Sequence, residues 1–184
     1  MKIEGQPIAY VNKLGLANRL ARLAWNGAWL ALFRFSPSAL HGWRRFLLRL
    51  FGARLGPGVH VYPSVKVWAP WNLDMGADAC LGPQVDCYNV ATISLDQGAT
   101  VSQRAFLCTA SHDIHSAGFG LVKKPIRIGQ GAWVAAQAFV GPGVRVGEGA
   151  VVAACAVAIK DVKPWHVVAG NPAKVVKKRL QALR

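Results

Sequence analysis

The sequence predicts an all-β fold, a parallel β-solenoid of about five coils, with a helical appendage on its N-terminal side and a short basic tail after it. Three observations carry this. From Leu55 onward a six-residue phrase recurs, as in LGPGVH, VYPSVK, LGPQVD, VGPGVR and VGEGAV. Each phrase opens on an apolar residue, and its fifth place is nearly always Ala or Val, with Ser111 and Trp71 as departures. Written in threes, the phrases fall into one register as 18-residue blocks at 55–72, 75–92, 95–112, 128–145 and 146–163. An apolar residue every six places, backed by a small one where the chain must bend, suits a triangular coil whose sides are short strands stacked on the coil below.

The segment 1–54 is different material. It holds nine Lys or Arg and a single acid, Glu4, so +8 of the chain's +14 lies outside the solenoid. Apolar residues recur at helical spacing over 14–35, Trp25 and Trp29 among them; the SPS at 36–38 breaks the helix, and 40–51 reads as a second. Asn18, Arg19, Arg22 and Asn26 interrupt the first run too often for a bilayer span. Basic and aromatic residues on an amphipathic helix have the composition of an interfacial anchor, so peripheral contact with an anionic membrane is one expectation. Capping of the first coil's apolar end is the other, and one pair of helices can do both.

Within the solenoid, 55–163, the interruptions are informative. Two residues are extra after Asn72, two after Thr92, and fifteen after His112, at 113–127. All fall at one corner; insertions gathered on one face of a solenoid usually build a binding surface, the alternative being a corner that merely tolerates extra residues. On this reading Asn72, Thr92 and His112 stack in successive coils at roughly 5 Å per step. Asn72, Tyr88 and Asn89 are candidates to contact a substrate from that corner, or else turn residues that satisfy backbone groups.

Composition bounds the function. At 184 residues the chain makes one domain plus an appendage. Cys80, Cys87, Cys108 and Cys155 show no metal-type spacing and read as reduced packing residues, Cys87 on an inward position. The start MKIEGQPIAYVNKLG lacks an uninterrupted apolar core, and the expected location is cytoplasmic, with the inner membrane face as the place of any peripheral contact. A pI near 10.3 raises the question of nucleic acid, but no such motif is present and acids and bases alternate along the coils. In the last segment, 164–184, the cluster Lys174, Lys177, Lys178 and Arg179 follows the word GNPAK and suits a phosphate-bearing cofactor.

The words CTASHD at 108–113, KKPIRIGQGAWVAAQAFVGPGV, AIKDV and AGNPAKVVKK occur in the order and spacing of the galactoside, maltose and nodulation O-acetyltransferases. With SPSALHGWRRFLLRLFGARLG and PWNLDMG added, the chain resembles most closely the hexapeptide-repeat acetyltransferases of colanic acid and exopolysaccharide synthesis. The resemblance implies a left-handed parallel β-helix, a homotrimer with sites between subunits, acetyl-CoA as cosubstrate without a metal, and a sugar or lipid-linked glycan acceptor. It implies His112 as catalytic base and aligns Gln84 with an acceptor-side asparagine. It maps cofactor contacts onto Ala136, Ala154, Ile159, Lys160, Lys174 and Lys177, with Trp133 beside them. The chemistry is coherent. An alcohol is a poor nucleophile at neutral pH, and an imidazole titrating near neutrality is suited to take its proton as it attacks a thioester. Small side chains leave room for a slender pantetheine arm. A zinc carbonic anhydrase on the same solenoid would need three converging imidazoles, and His60, His112, His115 and His166 lack the paired spacing. A noncatalytic scaffold is the other rival.

Overall fold

In the computed structural model, which describes residues 15–116 and 118–180, short strands stack into three walls of a parallel solenoid. Wall A runs through Arg54–Leu55, Leu73–Met75, Ile93–Leu95, Ile126–Ile128 and Arg145–Val146. Wall B holds His60–Val61, Cys80–Leu81, Thr100–Val101, Trp133–Val134 and Val151–Val152, and wall C holds Lys66–Val67, Asp86–Tyr88, Phe106–Cys108, Phe139–Val140 and Val157–Ala158.

The register is the one the phrases dictate. Leu55, Met75, Leu95, Ile128 and Val146 pair in one column. Val61, Leu81, Val101, Val134 and Val152 form the second, and Val67, Cys87, Leu107, Val140 and Ala158 the third. All but Leu55 are buried, as are the small corner residues such as Ala79, Ala99, Ala132 and Ala150. Each buried aliphatic side chain contributes about 1.5–3 kcal/mol, so the columns supply the cohesion that strands of two or three residues lack. One corner also explains a recurrent glycine: a Cβ on Gly56, Gly76, Gly129 or Gly147 would meet backbone of the next coil at 2.5–2.7 Å.

The inserted pairs Leu73–Asp74 and Ile93–Ser94 belong to the strands of wall A, and Ile126–Arg127 continues their ladder. The third excursion is therefore a hairpin, with Ala110–His112 antiparallel to Leu121–Lys123. Thr109 and Lys124 close its neck through a 2.9 Å backbone bond. This corrects the expected stacking. The Thr92 carbonyl accepts the N–H of Ile126, so the coil continues from Thr92 to Pro125 and His112 stands outside the column on the hairpin.

A sixth coil begins where the phrases stop. Val162 bridges Val146, and His166–Ala169 adds a parallel rung to wall B before Lys174–Lys178 returns antiparallel. The basic stretch read as a tail is thus an edge strand.

At the other end, helix α1 (Leu16–Ala28) passes into a π-helical turn (Trp29–Phe33), and α2 (His41–Leu50) follows. Trp25, Trp29 and Phe33 are spaced by four, a run that drifts around an α-helix, and the wider turn takes up the drift. These helices replace a missing coil. Between stacked coils, backbone N–H groups of one donate to carbonyls of the next, as from Gly56 to Met75, His60 to Ala79, Tyr62 to Leu81, Lys66 to Val85 and Trp68 to Cys87. The first coil's equivalent carbonyls, on Leu55, Val59, Val61, Val65 and Val67, accept from Arg49, Arg45, Arg44, Trp29 and Trp25. Arg44 is fully buried and also binds Ser36 Oγ and the Pro37 and Ser38 carbonyls, which fixes the SPS bend. Capping is therefore built from the arginines and tryptophans that composition alone offered equally to a membrane.

Candidate functional site

His112 is positioned by the hairpin. Its Nδ1 lies 2.8 Å from the Phe119 carbonyl oxygen, and its ring stacks on that of Phe119 at 4.9 Å and 14°. A carbonyl can only accept, so Nδ1 carries the proton and the basic lone pair is on Nε2. Phe119 holds a positive φ of 45°, a conformation unfavourable for a bulky side chain, and thereby turns its carbonyl and ring toward the imidazole.

Of the four acceptor candidates, two bond backbone groups across coils. Asn89 is fully buried, its amide oxygen accepting from Ala69 N at 2.9 Å and its amide nitrogen donating to Ala69 O at 2.7 Å. Asn72 Nδ2 donates to the carbonyls of Asn89 and Val90, both at 3.0 Å. Both side chains clip adjacent coils together where the corner widens, which leaves Asn89 no group to present to a substrate.

Gln84 and Tyr88 lie along a groove between α1 and wall C. One part, of about 440 Å³, is bordered by Trp25, Trp29, Trp68, Lys66, Asp86 and Tyr88; an adjoining part includes Arg34, Ser64 and Gln84. The Gln84 oxygen accepts from Arg104 Nε at 2.7 Å, which directs its amide nitrogen to act as donor. Burial raises the Asp86 carboxyl above the usual carboxylate range, partly offset by Lys66. Of the residues bordering the groove, Tyr88 is tied to the hairpin's neck: it pairs with Cys108, and its carbonyl accepts from the N–H and hydroxyl of Thr109. Trp68, Lys66 and Asp86 were not singled out from sequence, because they occupy ordinary outward places of the repeat.

A second groove, of about 560 Å³, crosses wall B. It gathers Trp133, Ala136, Ala154 and Lys177 from the expected cofactor set, and adds Ser102, Val167 and Arg179. Trp133 Nε1 donates to Ser102 Oγ at 2.8 Å, and Arg179 reaches the Gly131 and Gly149 carbonyls. Ile159, Lys160 and Lys174 do not border it. Six residues past Ala154 the repeat has crossed wall C to another corner, and Lys174 pairs with Ala169 at the outer end of the edge strand. Among the described residues no cluster of three or more His, Cys, Asp or Glu is arranged to hold a metal. Their cysteines are unpaired, and burial pushes the thiols of Cys80 and Cys87 up.

Residues 125–159 match the bacterial transferase hexapeptide family of six repeats. WcaF of Escherichia coli K12, named as a colanic acid biosynthesis acetyltransferase, is 41% identical over 157 residues, covering 85% of this chain and 86% of that protein. The chain is a hexapeptide-repeat acetyltransferase. Its fold matches a maltose O-acetyltransferase from Clostridium difficile with a TM-score of 0.82 at 22% identity, covering 91% of this chain and 90% of the other. It also matches a galactoside acetyltransferase in complex with coenzyme A, with a TM-score of 0.81 at 22% identity, covering 90% and 84%. The architecture is accordingly the left-handed parallel β-helix of these enzymes.

In this acetyltransferase the two grooves lie on different walls. The hairpin that bears His112 leaves the coil at the corner between walls C and A, where Tyr88 of the wall C groove bonds to Thr109, whereas the wall B groove lies toward the corner between walls B and C. Among the described residues of one chain, none of those bordering either groove belongs to the hairpin.

Proposed function

We propose that the protein transfers the acetyl group of acetyl-CoA to a sugar hydroxyl in exopolysaccharide or lipid-linked glycan synthesis, acting in the cytoplasm as a homotrimer. The observation that carries this reading is the 2.8 Å contact of His112 Nδ1 with the Phe119 carbonyl oxygen, on a hairpin whose neck residue Thr109 bonds to Tyr88 of an aromatic groove. The acceptor lies in the wall C groove, where the rings of Tyr88 and of Trp68, the latter with the Arg22 guanidinium over one face, border the space for a sugar, and Asp86, Lys66 and the Gln84 amide offer polar contacts. The wall B groove suits the donor, since its alanines leave a clear track and Lys177 and Arg179 stand at its basic side for phosphate. Separation of the grooves within one chain favours a trimer, in which the hairpin of one subunit meets wall B of its neighbour.

Acetyl-CoA supplies the acyl group already activated as a thioester. Nε2 of His112 takes the proton of the acceptor hydroxyl as its oxygen bonds to the carbonyl carbon. The imidazolium then returns that proton to the departing thiolate, so no covalent enzyme intermediate is needed. Backbone N–H groups or the Gln84 amide are the candidates to stabilise the developing oxyanion. Acetyl-CoA labelled in its acyl carbon, offered with a panel of free, nucleotide-linked and lipid-linked sugars, tests the reading. Label in a sugar ester is the expected product; acyl transfer to amines alone, or acetyl-CoA binding with no transfer to any sugar, overturns it.

A further inference from the structure

The helical cap has two apolar faces, and the solenoid uses only one. On α2 the inward face carries Arg44, Leu47 and Leu48, all buried, while Trp43, Phe46 and Leu50 recur at i, i+3 and i+7 on the outward face. Phe46 is 55% exposed and Leu50 67%. Trp43 ties this stripe to the end of the first helical run, its Nε1 donating to Leu32 O at 2.9 Å and its ring stacking on Phe46. Phe35, 76% exposed, and Leu40 continue the surface around the SPS bend. On α1 Leu16, Leu20 and Leu23 form a stripe at i, i+4 and i+7, turned away from the buried Trp25. Ten of the eighteen large apolar side chains exposed among the described residues fall between Leu16 and Leu50. An apolar surface this concentrated marks a contact with something.

Charge says what. No acidic residue occurs between Gly5 and Leu73. The two ion pairs of the described residues, Arg54 with Asp74 and Arg127 with Asp96, leave every arginine of the cap uncompensated. Arg44, Arg45 and Arg49 spend their donors on carbonyls, which cancels none of their charge, and Arg19 and Arg34 are exposed. A cap from a second copy would bring like charge against like charge. A bilayer with anionic headgroups meets both halves of the pattern, with apolar and aromatic side chains entering the acyl boundary and arginines held at headgroup level. Among the described residues no helix is long and apolar enough to cross a membrane, so the contact lies in the plane of the interface.

We propose that the outward face of the cap, centred on Trp43, Phe46 and Leu50, docks on an anionic lipid bilayer. The inference rests on the glycan-acetyltransferase reading only for why such docking is useful, since it would hold the enzyme beside a lipid-linked acceptor. Full-length protein at low salt, floated with vesicles of phosphatidylcholine alone or mixed with phosphatidylglycerol, tests it, with acetyl transfer to a soluble glycan measured on the same preparations. Wild type should float only with phosphatidylglycerol present and be released in part by salt. Phe46→Glu with Leu50→Glu should stay in the soluble fraction with unchanged mass by light scattering and unchanged soluble transfer. Leu20→Glu, on the separate helix, should do the same should the α2 variant fail to fold. Wild-type protein that never floats, or variants that float equally, overturns the docking; variants that fall to a smaller assembly show the face to be a subunit interface and overturn it too. Flotation without transfer to any sugar overturns the acceptor reading alone.

Discussion

The His112 imidazole and the Phe119 ring lie nearly parallel, 4.9 Å apart, with Nδ1 of the one bonded to the backbone carbonyl of the other. Phe119 thus holds both the tautomer and the plane of the imidazole. Replacing His112 by Ala should lower kcat by roughly 10²–10⁴ and leave acetyl-CoA affinity unchanged. Phe119→Gly keeps the carbonyl and tolerates the positive φ, so it removes only the stacking. Its kcat should fall by less, on the order of tenfold or under. Steady-state kinetics beside a cofactor titration check both; an equal loss in the two variants would mean that the ring, not the tautomer, is what the hairpin supplies.

The cap makes a separate prediction about stability. Trp25→Phe keeps most of the buried ring and removes the N–H that meets the Val67 carbonyl at 2.6 Å. Leaving that carbonyl unpaired should cost about 1–3 kcal/mol, read as a lower urea midpoint at unchanged m-value. Arg44→Met should cost more, because the Pro37 and Ser38 carbonyls both lose their donor and that of Val61 keeps only His41. A midpoint unmoved by either change would show that the edge carbonyls are satisfied by water.

Much of this was legible in the repeat. Wherever a residue's place is fixed by a period of six, as with Leu81 or Val134, sequence gave wall, register and burial together. Legibility failed where a side chain's partner lies in another element. Asn89 and Asp86 are three residues apart and both polar, yet one is locked onto Ala69 a coil away and the other faces a groove closed by α1. The resemblance groups Ile159 and Lys160 with Ala154, and the structure sets them at another corner of the coil, because six residues of a solenoid suffice to cross a wall. Arginine in the cap carried the same ambiguity, since neither charge nor spacing tells whether a guanidinium meets a carbonyl or a phosphate.

Asn89→Leu separates the structural role from a substrate role. It keeps the branched shape and leaves Ala69 N and O buried without their partner, at about 1–3 kcal/mol for each group. Thermal unfolding should move to markedly lower temperature while the acceptor KM, measured well below that transition, stays at the wild-type value. A raised acceptor KM without loss of stability would return Asn89 to the acceptor site.

On wall B, Ala136→Leu places two methyl groups and a methine across the groove without touching the buried columns. The acetyl-CoA KM should rise by tenfold or more with an unchanged melting temperature. Lys177→Glu should raise it as well, and by less for a donor lacking the 3′-phosphate if the lysine meets that group. Lys160→Glu, on the other corner, is the comparison; an effect as large as that of Lys177→Glu would mean that the donor follows a different track.

Asp86 gives the last prediction, because burial and function pull its carboxyl in opposite directions. It is half-buried in the wall C groove with Lys66 in register one coil back, and its pKa stands above the usual carboxylate range through burial, partly offset by that lysine. A folded-state pKa above the unfolded one means that the folded protein holds the proton more tightly. The associated stability is fully present below the unfolded carboxylate pKa and is lost as pH rises through the raised folded value. At neutral pH the ionised carboxylate is therefore a net cost, of the kind retained at binding sites. Asp86→Asn should raise the urea midpoint at neutral pH, and the advantage should shrink as pH falls into the range where wild-type Asp86 is itself protonated. The same variant should raise the KM for the glycan acceptor and leave that for acetyl-CoA unchanged. A variant destabilised at neutral pH would make Asp86 a structural partner of Lys66, and an unchanged acceptor KM would remove the groove from the acceptor's path.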